Sequence, residues 1–168
     1  MIDIGANLSN STFDNDLAEV LQRAKDAKLQ AVIVTGTSVE SSKAAIALAE
    51  QQPNFLYATA GVHPHDADSY NHDIEKQISA MLDNPSIVAV GETGLDFNRN
   101  FSTPDNQRHA FEAQIALANH YQKPLFLHER DAFEDFHSII SANKNEQTQA
   151  VVHCFTGSET ALKAYLDL

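Results

Sequence analysis

The sequence predicts an α/β fold, a TIM-type (β/α)8 barrel of which about six of the eight units are present. Three observations lead there. Apolar runs without polar alternation, such as Ile87-Val88-Ala89-Val90, read as strands buried on both faces, as parallel strands covered by helices are. Such runs alternate with helical patterns at intervals of about thirty residues, the length of a strand–helix unit, and no linker intervenes. Residues with metal-ligand chemistry close four of the runs: His63-Pro64-His65, Glu92, His128 and His153. An open doubly wound sheet gathers its site at one switch point, so functional residues at many consecutive strand ends favour a closed barrel. A complete barrel takes about 250 residues. The expectation is therefore one domain over residues 1–168, an incomplete barrel whose C-terminal quarter is missing and whose first and sixth strands are open edges.

Each element has its own justification. Asp3-Ile4-Gly5-Ala6-Asn7-Leu8 reads as a first strand leaving into a loop. Ser11-Thr12-Phe13-Asp14 has the form of a helix start, and Phe13, Leu17, Val20, Leu21 and Ala24 continue at helical spacing. The second strand is Leu29–Val34; Ser38 caps a helix to about Gln51, closed by Pro53. Phe55–Val62 is the third strand, followed by a polar loop from His63 to Asn71 and a helix carrying Ile74, Ile78, Met81 and Leu82. The fourth strand delivers Glu92 and passes into a loop, Asp96 to Ser102. Thr103-Pro104 then opens the fourth helix, with Ala110, Phe111, Gln114, Ile115 and Ala118 on its inner face. The fifth strand ends at His128 and the sixth at His153. Helices marked by Phe133, Phe136, Ile139 and Ile140, and beginning near Ser158, follow them.

Composition narrows the function classes. A chain that is 43% hydrophobic supports a real core, and no apolar run of membrane-spanning length or basic-then-apolar leader is present, so a cytoplasmic protein without membrane association is expected. Cys154 is the only cysteine, which excludes an intrachain disulfide and fits a reducing compartment. Beside His153 in a strand it would point to the opposite face, as a buried packing residue. The formal net charge of −12 argues against holding nucleic acid by charge attraction alone. It leaves room for an enzyme acting on nucleic acid, because divalent metal supplies positive charge where the phosphate sits.

The strand-end residues specify a hydrolytic chemistry. Imidazole ligates Zn²⁺, Mn²⁺, Co²⁺ or Ni²⁺, and a carboxylate suits these and Mg²⁺ alike. Metals so held activate water and stabilise the leaving oxygen of a phosphoryl displacement. Glu92, His128 and His153 are the candidate ligands; His63 and His65, stiffened by Pro64, are either ligands or phosphate contacts. Arg130 leans to the same side of its strand as His128, so its guanidinium either clamps a phosphate or pairs with an acid such as Asp131. Asp96 either accepts a hydrogen bond from a ligand histidine or caps its loop, and Arg99 is a further phosphate contact on that loop. His72, His109, His120 and His137 fall on helices and read as surface residues.

Five motifs in order carry a resemblance. Asp3-Ile-Gly-Ala-Asn-Leu8, Gly61-Val-His-Pro-His65, Gly91-Glu-Thr-Gly-Leu-Asp96 continuing to Pro104, His128-Glu-Arg-Asp-Ala132 and Val152-His-Cys-Phe-Thr-Gly157 resemble the TatD family of metal-dependent deoxyribonucleases over the whole chain. The long match around Glu92 puts the likeness nearest the family's eponymous branch. The resemblance implies a barrel of the metal-dependent hydrolase (amidohydrolase-like) kind. It also implies one or two divalent ions, Mg²⁺ first with Mn²⁺ or Zn²⁺ as alternatives, and 3′→5′ exonuclease activity on single-stranded DNA, in DNA repair or degradation. Glu92, His128 and His153 take the family's metal-ligand positions, and His63 and His65 line the cleft. Two departures stand out: Gly5 and Asn7 replace the histidines of a His-x-His motif, with Asn7 a cleft residue, and the late Thr-Asp-x-Pro aspartate is absent.

The expected function is thus metal-dependent hydrolysis of DNA, RNA being a possible substrate, with Glu92 and Arg130 catalytic. The full-length form is expected to be a monomer, and the 168-residue chain to self-associate. Two other readings remain: a metal-dependent hydrolase of another bond, such as a D-aminoacyl-tRNA deacylase, and an inactive oligomerising remnant.

Overall fold

The computed structural model describes residues 1–168. Six strands alternate with six helices: β1 (Ile2–Ala6), α1 (Leu17–Asp26), β2 (Ala31–Val34), α2 (Val39–Gln51), β3 (Leu56–Ala60), α3 (His72–Met81), β4 (Ile87–Asp96), α4 (Pro104–Tyr121), β5 (Leu125–Arg130), α5 (Phe133–Asn143), β6 (Ala150–Val152) and α6 (Glu159–Leu166). The strands form one parallel sheet in the order β1-β2-β3-β4-β5-β6. Every crossover therefore leads to the next neighbour. Since such crossovers are right-handed, all the helices fall on the same face and the sheet curls as part of a barrel. A doubly wound sheet would reverse its strand order, and none does here.

Local signals explain most boundaries. Ser38 and Ser41 form a reciprocal capping box on α2, Asn71 caps α3 and Thr103 caps α4 with Pro104 at its first position. The start of α1 differs from the sequence reading. Asn10 caps a single 3-10 turn at Ser11–Phe13, and the α-helix begins only at Leu17. Asn10 accepts hydrogen bonds from both the backbone and the hydroxyl of Thr12, which holds that turn apart from the helix. Residues 64–69 are also a short 3-10 helix rather than open loop, with Pro64 at its start.

The core lies between the sheet and the helices. Leu56, Ile78, Leu82, Ile87, Leu125 and Leu127 are buried, and Phe111 of α4 stacks on Phe136 of α5 at 5.1 Å. The two outer strands fare differently. Ile2 and Ile4 of β1 and Val151 of β6 remain exposed, as open edges require. An apolar cavity of about 310 Å³ beside β6 is lined by Val152, Phe155, Tyr165 and Leu166 among others. Cys154 departs from the expectation of a buried residue. It is exposed, with a φ of +46°, because β6 stops at Val152 and strand alternation no longer applies beyond it. No helix is long and apolar enough to cross a membrane.

Candidate metal centre

Glu92 is delivered by β4, the longest strand, which runs past it to Asp96. The glycines around it permit this. A Cβ at Gly91 would lie 2.2 Å from the Phe126 carbonyl oxygen, and one at Gly94 would lie 1.9 Å from that of His128. Both have φ of +141°, outside the range other residues favour. The Gly91-Glu92-Thr93-Gly94 motif is thus a site where β4 and β5 approach too closely for side chains. The Glu92 N–H donates to the Gly36 carbonyl at 2.6 Å, tying β4 to the end of β2.

Three imidazoles surround one oxygen of this buried carboxylate. Glu92 Oε1 lies 2.5 Å from His153 Nε2, 3.2 Å from His128 Nδ1 and 3.5 Å from His63 Nε2. Burial opposes the charge on Glu92, but hydrogen bonds with His128, His153 and His63 outweigh it and hold the carboxyl well below the usual range. Burial dominates at His63 and lowers its pKa despite Glu92. At His128 burial acts the same way but is overcome by the Glu92 and Asp96 carboxylates, so its pKa is raised.

Asp96 forms the second half of the cluster. One oxygen, Oδ2, bonds His65 Nε2 at 2.7 Å and His128 Nε2 at 3.3 Å. The other, Oδ1, accepts from the backbone N–H groups of Asn98 and Arg99. Both roles open to Asp96 from sequence are therefore filled, one by each oxygen. Burial works against its ionisation, but the Arg99 N–H and His65 overcome it and lower its pKa. His128 spans the two carboxylates with its two nitrogens.

The donor chemistry fits a divalent cation. Nδ1 of His63 accepts a hydrogen bond from the His65 backbone N–H at 3.1 Å. A neutral imidazole has a single acceptor nitrogen, so Nε2 of His63 carries the proton and donates towards Glu92. His63, Glu92 and His128 lie close enough together to ligate one ion. His128 and His153 face the same Glu92 oxygen, but no backbone N–H fixes their second nitrogen, so each can move its proton there and free the nearer one. Glu92, His128 and His153 are therefore the alternative candidate set, although His153 lies outside the close group. His153 is steadied by Phe126, whose ring stacks on it at 4.6 Å. A Cβ at Gly5 would meet Phe126 at 3.1 Å, so the absence of a side chain on β1 makes room for this stack.

The remaining sequence candidates stand outside the cluster. Arg130 is exposed; its Nη1 donates to the Thr156 hydroxyl at 3.3 Å, and it does not pair with Asp131, which accepts from Asn98 instead. Arg99 and Asn7 are exposed at the same end of the sheet without contact to Glu92. A cleft of about 540 Å³ on the outer side of this rim is lined by Phe97, Glu129, Asp131, Glu134 and Thr156, and holds none of the histidines.

Two residues that sequence reasoning placed no function on hold the site together. Gln114 accepts from the Val62 N–H at 2.7 Å and donates to the Val62 carbonyl and the Thr93 hydroxyl. It thereby clamps the residue before His63 to the residue after Glu92. Gln107, two turns earlier, accepts from the Asp96 N–H and donates to the carbonyls of Asp96 and Ser102. Both are fully buried. The available signal was an amide on the apolar stripe of a helix, since a buried polar group demands partners.

Comparison with known proteins agrees with this fold. Residues 2–168 match the family described as TatD related DNase. The chain is 47% identical over 166 residues to the 3′-5′ ssDNA/RNA exonuclease TatD of Pectobacterium parmentieri (strain WPP163), covering 99% of the chain and 64% of that protein. It is 48% identical over its full 168 residues to the protein of the same name from Edwardsiella piscicida, covering 65% of it. The crystal structure of YJJV, a TatD homologue from Escherichia coli K12, superimposes with a TM-score of 0.90 at 29% identity, over 99% of the chain and 64% of that one. The chain thus spans less than two thirds of the length of these relatives. A family match over almost every residue, joined to a parallel barrel sheet with Glu92 and its histidines on or just past consecutive strands, places the chain in the TatD-related DNase family.

Proposed function

We propose that this chain carries the metal-binding part of a nuclease that hydrolyses phosphodiester bonds of single-stranded DNA, and of RNA, from the 3′ end. The observation that carries the reading is the gathering of three imidazole nitrogens around one buried carboxylate oxygen of Glu92. Proteins that share nearly half of its residues bear the name 3′-5′ ssDNA/RNA exonuclease.

Glu92, His128 and His153 would hold the divalent ion, which supplies Lewis acidity and positive charge for the phosphate. Mg²⁺ is the expectation from the family, while two imidazole donors bind Mn²⁺ or Zn²⁺ more strongly. His63 presents an N–H at Nε2 within the same cluster and is suited to a phosphate oxygen. Asp96 holds His65 by Nε2, which leaves Nδ1 to take the proton released when water attacks phosphorus, and the carboxylate stabilises the imidazolium so formed. The phosphorus–oxygen bond to the leaving strand breaks in exchange, and its oxygen takes up a proton from solvent. Arg130 and Arg99 stand at the rim for neighbouring phosphates.

The test is digestion of a 5′-labelled single strand with Mg²⁺ or Mn²⁺ and with chelator, alongside RNA and aminoacyl-tRNA. A metal-dependent ladder shortening from the 3′ end is expected. Release of the aminoacyl group with both polynucleotides intact would replace the nuclease by a deacylase.

A further inference from the structure

Phe101 is a large apolar side chain left 66% exposed beside the histidine cluster. Its ring meets the His65 ring edge-on, with centroids 4.8 Å apart and an interplanar angle of 82°. His65 in turn bonds Asp96, so Phe101 stands one ring away from the proposed chemistry. We propose that Phe101 is a stacking platform for the nucleobase beside the scissile phosphate. This inference rests on the nuclease reading above and adds what the substrate's base touches.

The loop holds the ring in place on both sides. Asn100 takes a left-handed conformation, φ +48°, and its side chain donates to the Phe97 carbonyl at 2.7 Å. Ser102 is buried; its hydroxyl donates to the His65 carbonyl and accepts from the Asp68 N–H, and its own carbonyl accepts from Gln107. The hydroxyl bond joins the residue after Phe101 to the residue whose ring Phe101 touches. The aromatic face is therefore presented already ordered, and a base stacking on it costs little further freedom. With a net charge of −12, the chain lacks the basic surface that usually supplies non-specific affinity, so contacts with the bases must carry more of the binding. Arg99, exposed two residues earlier, is the cation nearest in sequence. Stacking of this kind is indifferent to base identity but requires an unpaired base, which selects single-stranded ends.

The experiment compares two dye-labelled oligodeoxythymidylates by fluorescence anisotropy in the presence of Mn²⁺, one with a normal 3′-terminal nucleotide and one abasic there. Wild type is expected to bind the normal end about thirtyfold more tightly, the middle of the range for loss of one base–aromatic stack. Phe101→Ala should bind both ends alike at the abasic level, and Phe101→Trp should restore the difference. Calorimetric Mn²⁺ affinity should be the same in all three proteins, because Phe101 touches no ligand of the ion. A Phe101→Ala protein that keeps the preference overturns the proposal, as does a wild type that binds both ends equally or binds neither. If the preference follows Phe101 while neither oligonucleotide is hydrolysed, it is the nuclease reading that fails, and the stacking site stands as a binding site.

Discussion

The middle and the edges of the sheet are built from similar sequence and end in different physical states. Strands β3 and β4 are buried almost throughout and β5 over its first half, and they deliver His63, Glu92, Asp96 and His128. Strand β6 has the same apolar character and β1 carries Ile2 and Ile4 around Asp3, yet Ile2, Ile4 and Val151 face solvent, and the one site residue there, His153, follows a three-residue strand. The difference is neighbours. A central strand has two hydrogen-bonded partners and a helix layer over it, so its end is held from several sides. An edge strand has one partner, and its end is only as fixed as the contacts beyond it. At His153 those contacts are Glu92 and Phe126, both supplied by the middle. The site is thus assembled by the centre of the sheet, and the edge contributes a candidate ligand that the centre orients.

The sharpest test of this asymmetry is Glu92→Gln, the nearly isosteric loss of the charge that three histidines share. Metal affinity should fall well beyond the roughly 10–100-fold typical of losing an outer-shell partner, and activity should vanish while the fold persists. Calorimetric Mn²⁺ binding at wild-type strength would remove Glu92 from the centre.

Packing should show the same contrast. Phe111→Ala, in the buried layer over β4 and β5, should cost about 3–5 kcal/mol in denaturant unfolding. Val151→Ala on the edge should stay within about 0.5 kcal/mol. Equal effects would mean that the edge is as well packed as the middle.

A smaller effect is expected from Gln114→Leu, which keeps the volume but orphans the Val62 backbone groups and the Thr93 hydroxyl. It should destabilise by about 1–3 kcal/mol. Metal binding should also weaken, because Thr93 adjoins Glu92. Unchanged affinity with lowered stability would make Gln114 a core residue and nothing more.

At the edges, the exposed strands should let the 168-residue chain self-associate, with little change in stability when charge is added. Ile4→Lys and Val151→Lys should shift light-scattering mass towards the monomer at equal concentration. A monodisperse monomer before either substitution would show that the edges do not pair.

The smallest effect is a difference in titration between two imidazoles of the metal-free chain, His63 buried and His128 half-buried. An unperturbed histidine titrates near about 6.5. Burial lowers His63, so it stays neutral to a lower pH; the two carboxylates raise His128, so it takes its proton at a higher one. By linkage, what His128 contributes to stability is complete below the unfolded value and disappears as pH rises through the folded one. As pH falls, NMR should see His128 charge before His63. Added Mn²⁺ should push the His128 transition lower, because a ligand imidazole must be neutral. The reverse order would mean that burial, rather than the carboxylates, governs both rings.

Much of this was legible because the apolar runs mark where each strand turns polar. The strands themselves go further than the runs, β4 to Asp96 and β5 to Arg130, yet sequential parallel strands still bring Glu92, His128 and His153 to one rim. Ser38, Asn71 and Thr103 likewise mark helix starts through short-range capping chemistry that needs no tertiary context. What stayed out of reach depends on partners distant in the chain. Cys154 was expected inside because strand alternation was extended two residues too far, beyond the last ladder bond.

The residues themselves determined the alternation of strand and helix, the anionic and imidazole groups available to a cation, and the four strand ends that carry them. The tertiary structure alone decided how those groups divide their work. Asp96 serves a histidine with one oxygen and a loop with the other, and His63 is a donor because the His65 N–H occupies its second nitrogen. Gln107 and Gln114 became clamps, and Phe101 was left facing solvent beside His65. Period, capping and the short loop bonds at His63 and Asp96 are local properties of a chain, whereas the bond of Asp96 to His65, the Gln114 clamp and the cluster around Glu92 exist only once segments 30 or more residues apart have met, as His153 and Glu92 do across 61 positions.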